Sequence, residues 1–114
     1  MPKAGDPNVV MERSVDELLE ALDGLMAARK AIARRATKLK RQLAAGKPLV
    51  DIVATEEQPL IVQVLRESNA NLVTAFSRFQ RVEAQLLYRE GMSMERIGRM
   101  FGLSRQRVAD LVRS

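Results

Sequence analysis

Apolar side chains recur along this chain at alternating intervals of three and four residues. Val15, Leu18, Leu22, Leu25, Arg29, Ile32, Ala36, Leu39 and Leu43 mark a rhythm that holds without a slip for about four heptads. Such spacing lays one stripe along a helix, and a seven-residue repeat makes the stripe a seam for another helix. Ser14 with Glu17 three residues on is a capping-box pattern, so the helix is predicted to start there. Residues 1–13, with Pro2, Gly5 and Pro7 and no period, are expected to form a flexible tail. Gly46-Lys47-Pro48 predicts the helix end. Gly24 lies inside the pattern and costs about 1 kcal/mol relative to alanine. Arg29 sits on the seam itself, where it is expected to snorkel or to pair with an acid across the interface.

A second long seam follows. Residues 48–54 predict one short helical turn. Thr55-Glu56-Glu57-Gln58 then offers another capping box, while Pro59 is an alternative first helical residue. Ile61, Leu65, Ser68, Leu72, Ala75, Phe79, Val82 and Leu86 again alternate by four and three, up to Gly91. The fold expected is all-α: a long antiparallel helical hairpin, coiled-coil-like, over residues 14–81, with a separate head over 82–114. Val64, Val73 and Phe76 flank the second seam and make its apolar stripe wider than two helices need. Self-association of two hairpins into a four-helix dimer would bury it.

The head has a different rhythm. Ser93 is placed to cap a short helix, with Glu95 near its positive end. Ile97 and Phe101 share a face, and Gly98 falls where two helices are expected to cross closely. Gly102 ends that helix at a position suited to positive φ, and Leu103 is expected to plug the turn into a small core. Ser104 caps a second short helix whose Val108 and Leu111 point inward. Leu86, Leu87 and Tyr88 of the preceding long helix are expected to supply the third wall. This is the pattern of a helix-turn-helix.

Charge sharpens the picture. The chain has 19 Lys and Arg against 14 Asp and Glu, a formal net charge of +5. It divides into blocks: residues 1–28 carry two basic and six acidic residues, 29–48 eight basic and no acid, 49–90 four and six, and 91–114 five arginines against Glu95 and Asp110. Two positive blocks suit a polyanion. In the second, Arg105, Gln106, Ala109 and Asp110 are the residues expected to face bases in a major groove. Arginine can bridge guanine O6 and N7, and glutamine can pair with adenine N6 and N7. Arg96, Arg99, Ser104, Arg107 and Arg113 are expected at phosphates, which position the head without reading sequence. In the first block, Lys30, Arg34, Lys38 and Arg41 form a possible second anion surface; a solvated helix face is the bland alternative.

The residues Gly91-Met92-Ser93 through Ile97-Gly98, then Phe101-Gly102-Leu103-Ser104-Arg105-Gln106-Arg107-Val108, resemble the helix-turn-helix of sigma-70 region 4 and of the bacterial regulators that share it. The resemblance covers about 30 of the 114 residues. After the turn that family usually reads Ser-Arg-Glu-Arg-Val-Arg-Gln; Ser104, Arg105, Arg107 and Val108 match, and Gln106, Ala109 and Asp110 depart. The departures fall on positions where the family contacts bases. Nothing else in the chain resembles the remaining regions of a sigma factor.

Absent residue types narrow the chemistry. The chain has no His, no Cys and no Trp. The commonest general base, thiol nucleophiles and the usual zinc ligands are therefore missing. Glu56-Glu57 is an acid pair between helices, more in keeping with a helix N-terminus than with catalysis. No enzyme activity, metal or cofactor is expected. No apolar run approaches membrane-spanning length, so a cytoplasmic, nucleoid-associated protein with no membrane partner is expected. The function expected is a sequence-specific DNA-binding transcriptional regulator, dimeric through its long helices, with residues 104–113 as recognition helix on double-stranded DNA. The alternative is a protein-interaction module or adaptor docking on transcription machinery, such as a sigma factor or RNA polymerase.

Overall fold

The computed structural model describes residues 5–114. Among these the chain is all-α: α1 (Pro7–Ala44), α2 (Leu49–Ala54), α3 (Ile61–Arg89), α4 (Met94–Phe101) and α5 (Arg105–Arg113). None of the described helices is long and apolar enough to cross a membrane. Contacts divide the chain into two compact units, one of Met1–Leu19 with Thr74–Ser114 and one of Glu20–Val73.

The first helix starts earlier than Ser14. It begins at Pro7 and runs 38 residues, about 57 Å at ~1.5 Å per residue. The cap is Asp6, whose Oδ1 accepts from Asn8 N at 2.8 Å, and Pro7 takes the first helical position, where its missing N–H costs nothing. The expected tail is therefore largely helical, and its residues 1–4 lie outside the described residues. Ser14 caps nothing: it is 2% exposed, and its hydroxyl donates to Met11 O at 2.7 Å.

The seam of α1 is also shifted on one side. Leu18, Leu25, Ile32 and Leu39 turn away from solvent as expected. Their seam partners, however, are Ser14, Ala21, Ala28, Arg35 and Gln42, each one residue before the expected Val15, Leu22, Arg29, Ala36 and Leu43. Leu22 and Leu43 are 37% and 48% exposed. Small side chains on that row let a neighbouring backbone approach, where leucine would hold it off. Arg29 is thus off the seam, exposed, and in no ion pair among the described residues. On α3 the one departure is Leu65, 47% exposed, with Val64 half-buried in its place.

In the unit of Glu20–Val73, α1 ends in a Schellman arrangement. Gly46, at φ 82°, donates to Leu43 O at 3.0 Å, and Lys47 N donates to Gln42 O at 3.2 Å. The start of α3 is neither of the two expected ones. Thr55 closes α2 instead, its Oγ1 donating to Asp51 O and Ile52 O. Leu60 is the residue before α3; its N–H donates to Gln63 Oε1 at 2.7 Å, and Ile61 N donates to Glu56 Oε1 at 2.8 Å. Arg35 Nη2 binds the same Glu56 oxygen at 3.2 Å and also donates to the Glu57 carbonyl. One carboxylate thus closes a helix start and an ion pair at once.

The other unit holds the principal buried cluster. Ala84 of α3, Ile97 of α4 and Val108 and Leu111 of α5 form it, with Leu87, Met92, Phe101, Leu103 and Val112 packed around. Ile97 and Val108 are fully buried, and a fully buried Val or Ile contributes about 1.5–3 kcal/mol. Ala84 and Leu87 form the third wall, whereas Tyr88, expected there, is 45% exposed. A residue at an outward helical angle cannot join the wall beside Leu87. In the same unit Arg78 of α3 holds Glu17 of α1, Nη1 lying 2.9 and 3.1 Å from its two carboxylate oxygens.

Candidate functional site

The exposed arginines of α4 and α5 are positioned by capped helices and a glycine turn. Gly91, at φ 102°, ends α3 in a second Schellman arrangement: Gly91 N donates to Tyr88 O at 3.1 Å and Met92 N to Leu87 O at 3.0 Å. Met92 and Leu87, which flank this turn, both pack on the core. Ser93 Oγ accepts from Arg96 N at 3.2 Å and Ser104 Oγ from Arg107 N at 3.1 Å, so both serines cap as expected.

The turn itself depends on two glycines for different reasons. Gly102 takes φ 71° and ψ 31°, the left-handed conformation that side chains disfavour by about 1–2 kcal/mol. Gly98 is helical, but a Cβ there would lie 2.7 Å from the Leu103 carbonyl oxygen. The close neighbour is the backbone of the turn; Val108 of α5 stands at an ordinary 3.6 Å. Leu103 N donates to Gly98 O at 2.8 Å and completes the lock.

A further clamp carries no sequence signature. Gln85 Nε2 of α3 donates to Leu111 O at 3.1 Å and Ser114 O at 2.8 Å. It satisfies carbonyls that the end of α5 leaves open and fixes the direction of that helix relative to α3. A lone glutamine on a helix flank looks like solvated surface; only the fold reveals its partners.

On this frame the expected contact residues sort unevenly. Arg96, Arg99, Ser104, Arg105, Gln106, Arg107, Asp110 and Arg113 are all exposed. Ala109 is not: at 6% exposure it lies on the inward side of α5, and the expectation that it faces a ligand is corrected. The inward face of α5 is wider than Val108 and Leu111 alone, since residue 109 lies only one helical step from 108. The outward face is accordingly Gln106, Arg107, Asp110 and Arg113, with Arg105 beside it.

Two of the polar groups hold each other. Arg105 Nε lies 3.1 Å from Glu95 Oε1, with 71% and 52% of the side chains exposed. A pair so solvated contributes less than about 1 kcal/mol, so the guanidinium is released to another anion at small cost. Gln106 Nε2 donates to Asp110 Oδ1 at 3.1 Å, one helical turn away. The arrangement can offer planar guanidinium forks and an amide to an anionic, hydrogen-bonding surface, at the amino end of α5, where backbone N–H groups also favour negative charge.

Lys30, Arg34, Lys38 and Arg41 lie in the unit of Glu20–Val73, all exposed on α1. Arg35 belongs to the same basic block but is turned to Glu56. Glu56 is thus engaged in structure, holding Arg35 and the start of α3. No protein-family model, curated protein or solved structure matches the chain.

Proposed function

We propose that this chain is a sequence-specific DNA-binding transcriptional regulator, with α4 and α5 as a helix-turn-helix and α5 as its recognition helix in the major groove. The carrying observation is the close turn at Gly98 and Leu103 between two serine-capped helices whose outer faces hold five exposed arginines. The likeness of residues 91–108 to sigma-70 region 4 supports the same reading. Gln106 and Arg105 suit adenine and guanine edges, and Asp110 can accept from cytosine N4. Arg96 and Arg99 on α4 suit phosphates.

In this reading α1 and α3 form an antiparallel hairpin that dimerises. Ion pairs Glu17–Arg78 and Arg35–Glu56 support the antiparallel course. Leu22 and Met26 of α1, with Val62, Leu65 and Val73 of α3, are 37–74% exposed large apolar residues, and a second copy would cover them. Two heads related by a two-fold axis would bind an inverted repeat.

The test is binding to a randomised duplex pool followed by sequencing of the retained DNA. An enriched inverted repeat is expected. Arg105→Ala should broaden base preference at one position of each half-site, whereas Arg99→Ala should weaken all sequences evenly and flatten the salt slope by about one. A chain that retains no duplex even at low salt is instead an adaptor for a protein of the transcription machinery. Asp110, an acid central to the outward face of α5, is the observation that favours this second reading.

A further inference from the structure

We infer that the outer face of α1 in the unit of Glu20–Val73 is a second nucleic-acid surface, at which Lys30, Arg34, Lys38 and Arg41 bind the phosphate backbone without reading sequence. The inference rests on the DNA-binding reading for the class of partner, but not on α5 for the contact.

The block from 29 to 48 holds eight cations and no acid. The structure sorts them. Arg35 turns to Glu56 and is spent. The four named cations recur at intervals of four, four and three residues, which lines them up on one face, opposite the seam of Leu25, Ile32 and Leu39. All four are exposed, and none makes an ion pair among the described residues. They span eleven residues, about 16 Å of helix. A duplex presents one charge per about 1.7 Å, so that length faces roughly ten phosphates.

The surroundings select among polyanions. The side chains between these cations are Ala31, Ala33 and Thr37. A helix that lies in a lipid surface needs large apolar side chains beside its basic face, and this stretch has none. A specific protein interface needs a buried apolar or aromatic centre, which is also missing. A uniform charged rod asks for neither. Glu57 stands at the rim of the groove that Arg34, Lys38 and Arg41 line, and its carboxylate opposes an incoming phosphate. It supplies a variant of opposite sign.

The experiment measures binding of the full chain to a 20-base-pair duplex of arbitrary sequence, by anisotropy across a potassium chloride series. The quadruple variant Lys30→Gln, Arg34→Gln, Lys38→Gln and Arg41→Gln should lower the slope of log affinity against log salt by about 3–4, from about 0.9 per phosphate released. Glu57→Gln should tighten binding about twofold to threefold. Far-ultraviolet circular dichroism of each variant should match the parent, and Glu57→Gln gives a gain that misfolding cannot mimic. An unchanged slope in the quadruple variant with a reduced slope in Arg96→Gln, Arg99→Gln overturns this surface and leaves the head reading intact. The converse result upholds this surface and removes the head. Retention on phosphatidylserine vesicles or polyglutamate as strong as on duplex, at equal salt, also overturns the inference.

Discussion

Gly98→Ala is the sharpest structural test of the turn, because its sign runs against helix propensity. In an open helix, replacing glycine by alanine stabilises by about 1 kcal/mol. Gly24 provides that baseline in the same chain: it is helical, and a Cβ there meets nothing within 4 Å. At Gly98 the new carbon would lie 2.7 Å from the Leu103 carbonyl, closer than real Cβ contacts come. The obstacle is backbone held from both sides. Leu103 N is bonded to Gly98 O at 2.8 Å, and its side chain packs on the core. Forcing an added methyl into such a site costs about 1–3 kcal/mol. After the propensity gain, a net loss of about 1–2 kcal/mol is expected, against a gain of about 1 kcal/mol for Gly24→Ala. Urea unfolding followed by circular dichroism measures both, and hydrogen exchange at the Leu103 amide locates the damage. If Gly98→Ala stabilised the chain as much as Gly24→Ala, the close approach would not exist.

Further outcomes follow from the caps and the shared carboxylate. Ser104→Ala should cost about 1 kcal/mol by removing the acceptor for Arg107 N, and should speed exchange of that amide, with Ser104→Asp retaining the parent's stability. Glu56→Ala strips a partner from both Arg35 and the Ile61 amide, and a loss of about 1.5–3 kcal/mol is expected in thermal melts, as for hydrogen bonds to charged groups. Glu17→Ala, by contrast, removes a pair whose arginine is 57% exposed, and less than about 1 kcal/mol should be lost in the same melts.

How much was legible depended on whether a residue's role is local. Ser93, Ser104, Gly91 and Gly102 act within three or four residues of themselves, and each does what its type and spacing implied. The row Leu18, Leu25, Ile32, Leu39 was legible because all four are strongly apolar. The companion row was not: Leu22 outweighs Ala21 in any apolar pattern, yet close helix packing favours the smaller side chain. Asp6-Pro7 was a valid start signal hidden in a segment that otherwise looked irregular. Gln85 and Glu56 act on chain 26 and 21 residues distant, and no spacing announces such partners. At the candidate site, Ala109 was misplaced because alanine is neutral between inside and outside, and only packing decides.

The clamp at Gln85 has a consequence for measurement. It is a neutral amide holding neutral carbonyls, and it works together with a hydrocarbon core and two hydroxyl caps. Dissolved ions screen charges and leave such contacts nearly untouched. Among the described residues the only ion pair between α4 and α5 is the solvated Arg105–Glu95 contact. Raising salt therefore loosens whatever the arginines hold while the scaffold beneath them keeps its shape. A salt titration of this protein reports counterions displaced at its surface, uncontaminated by unfolding of the part that bears the charges.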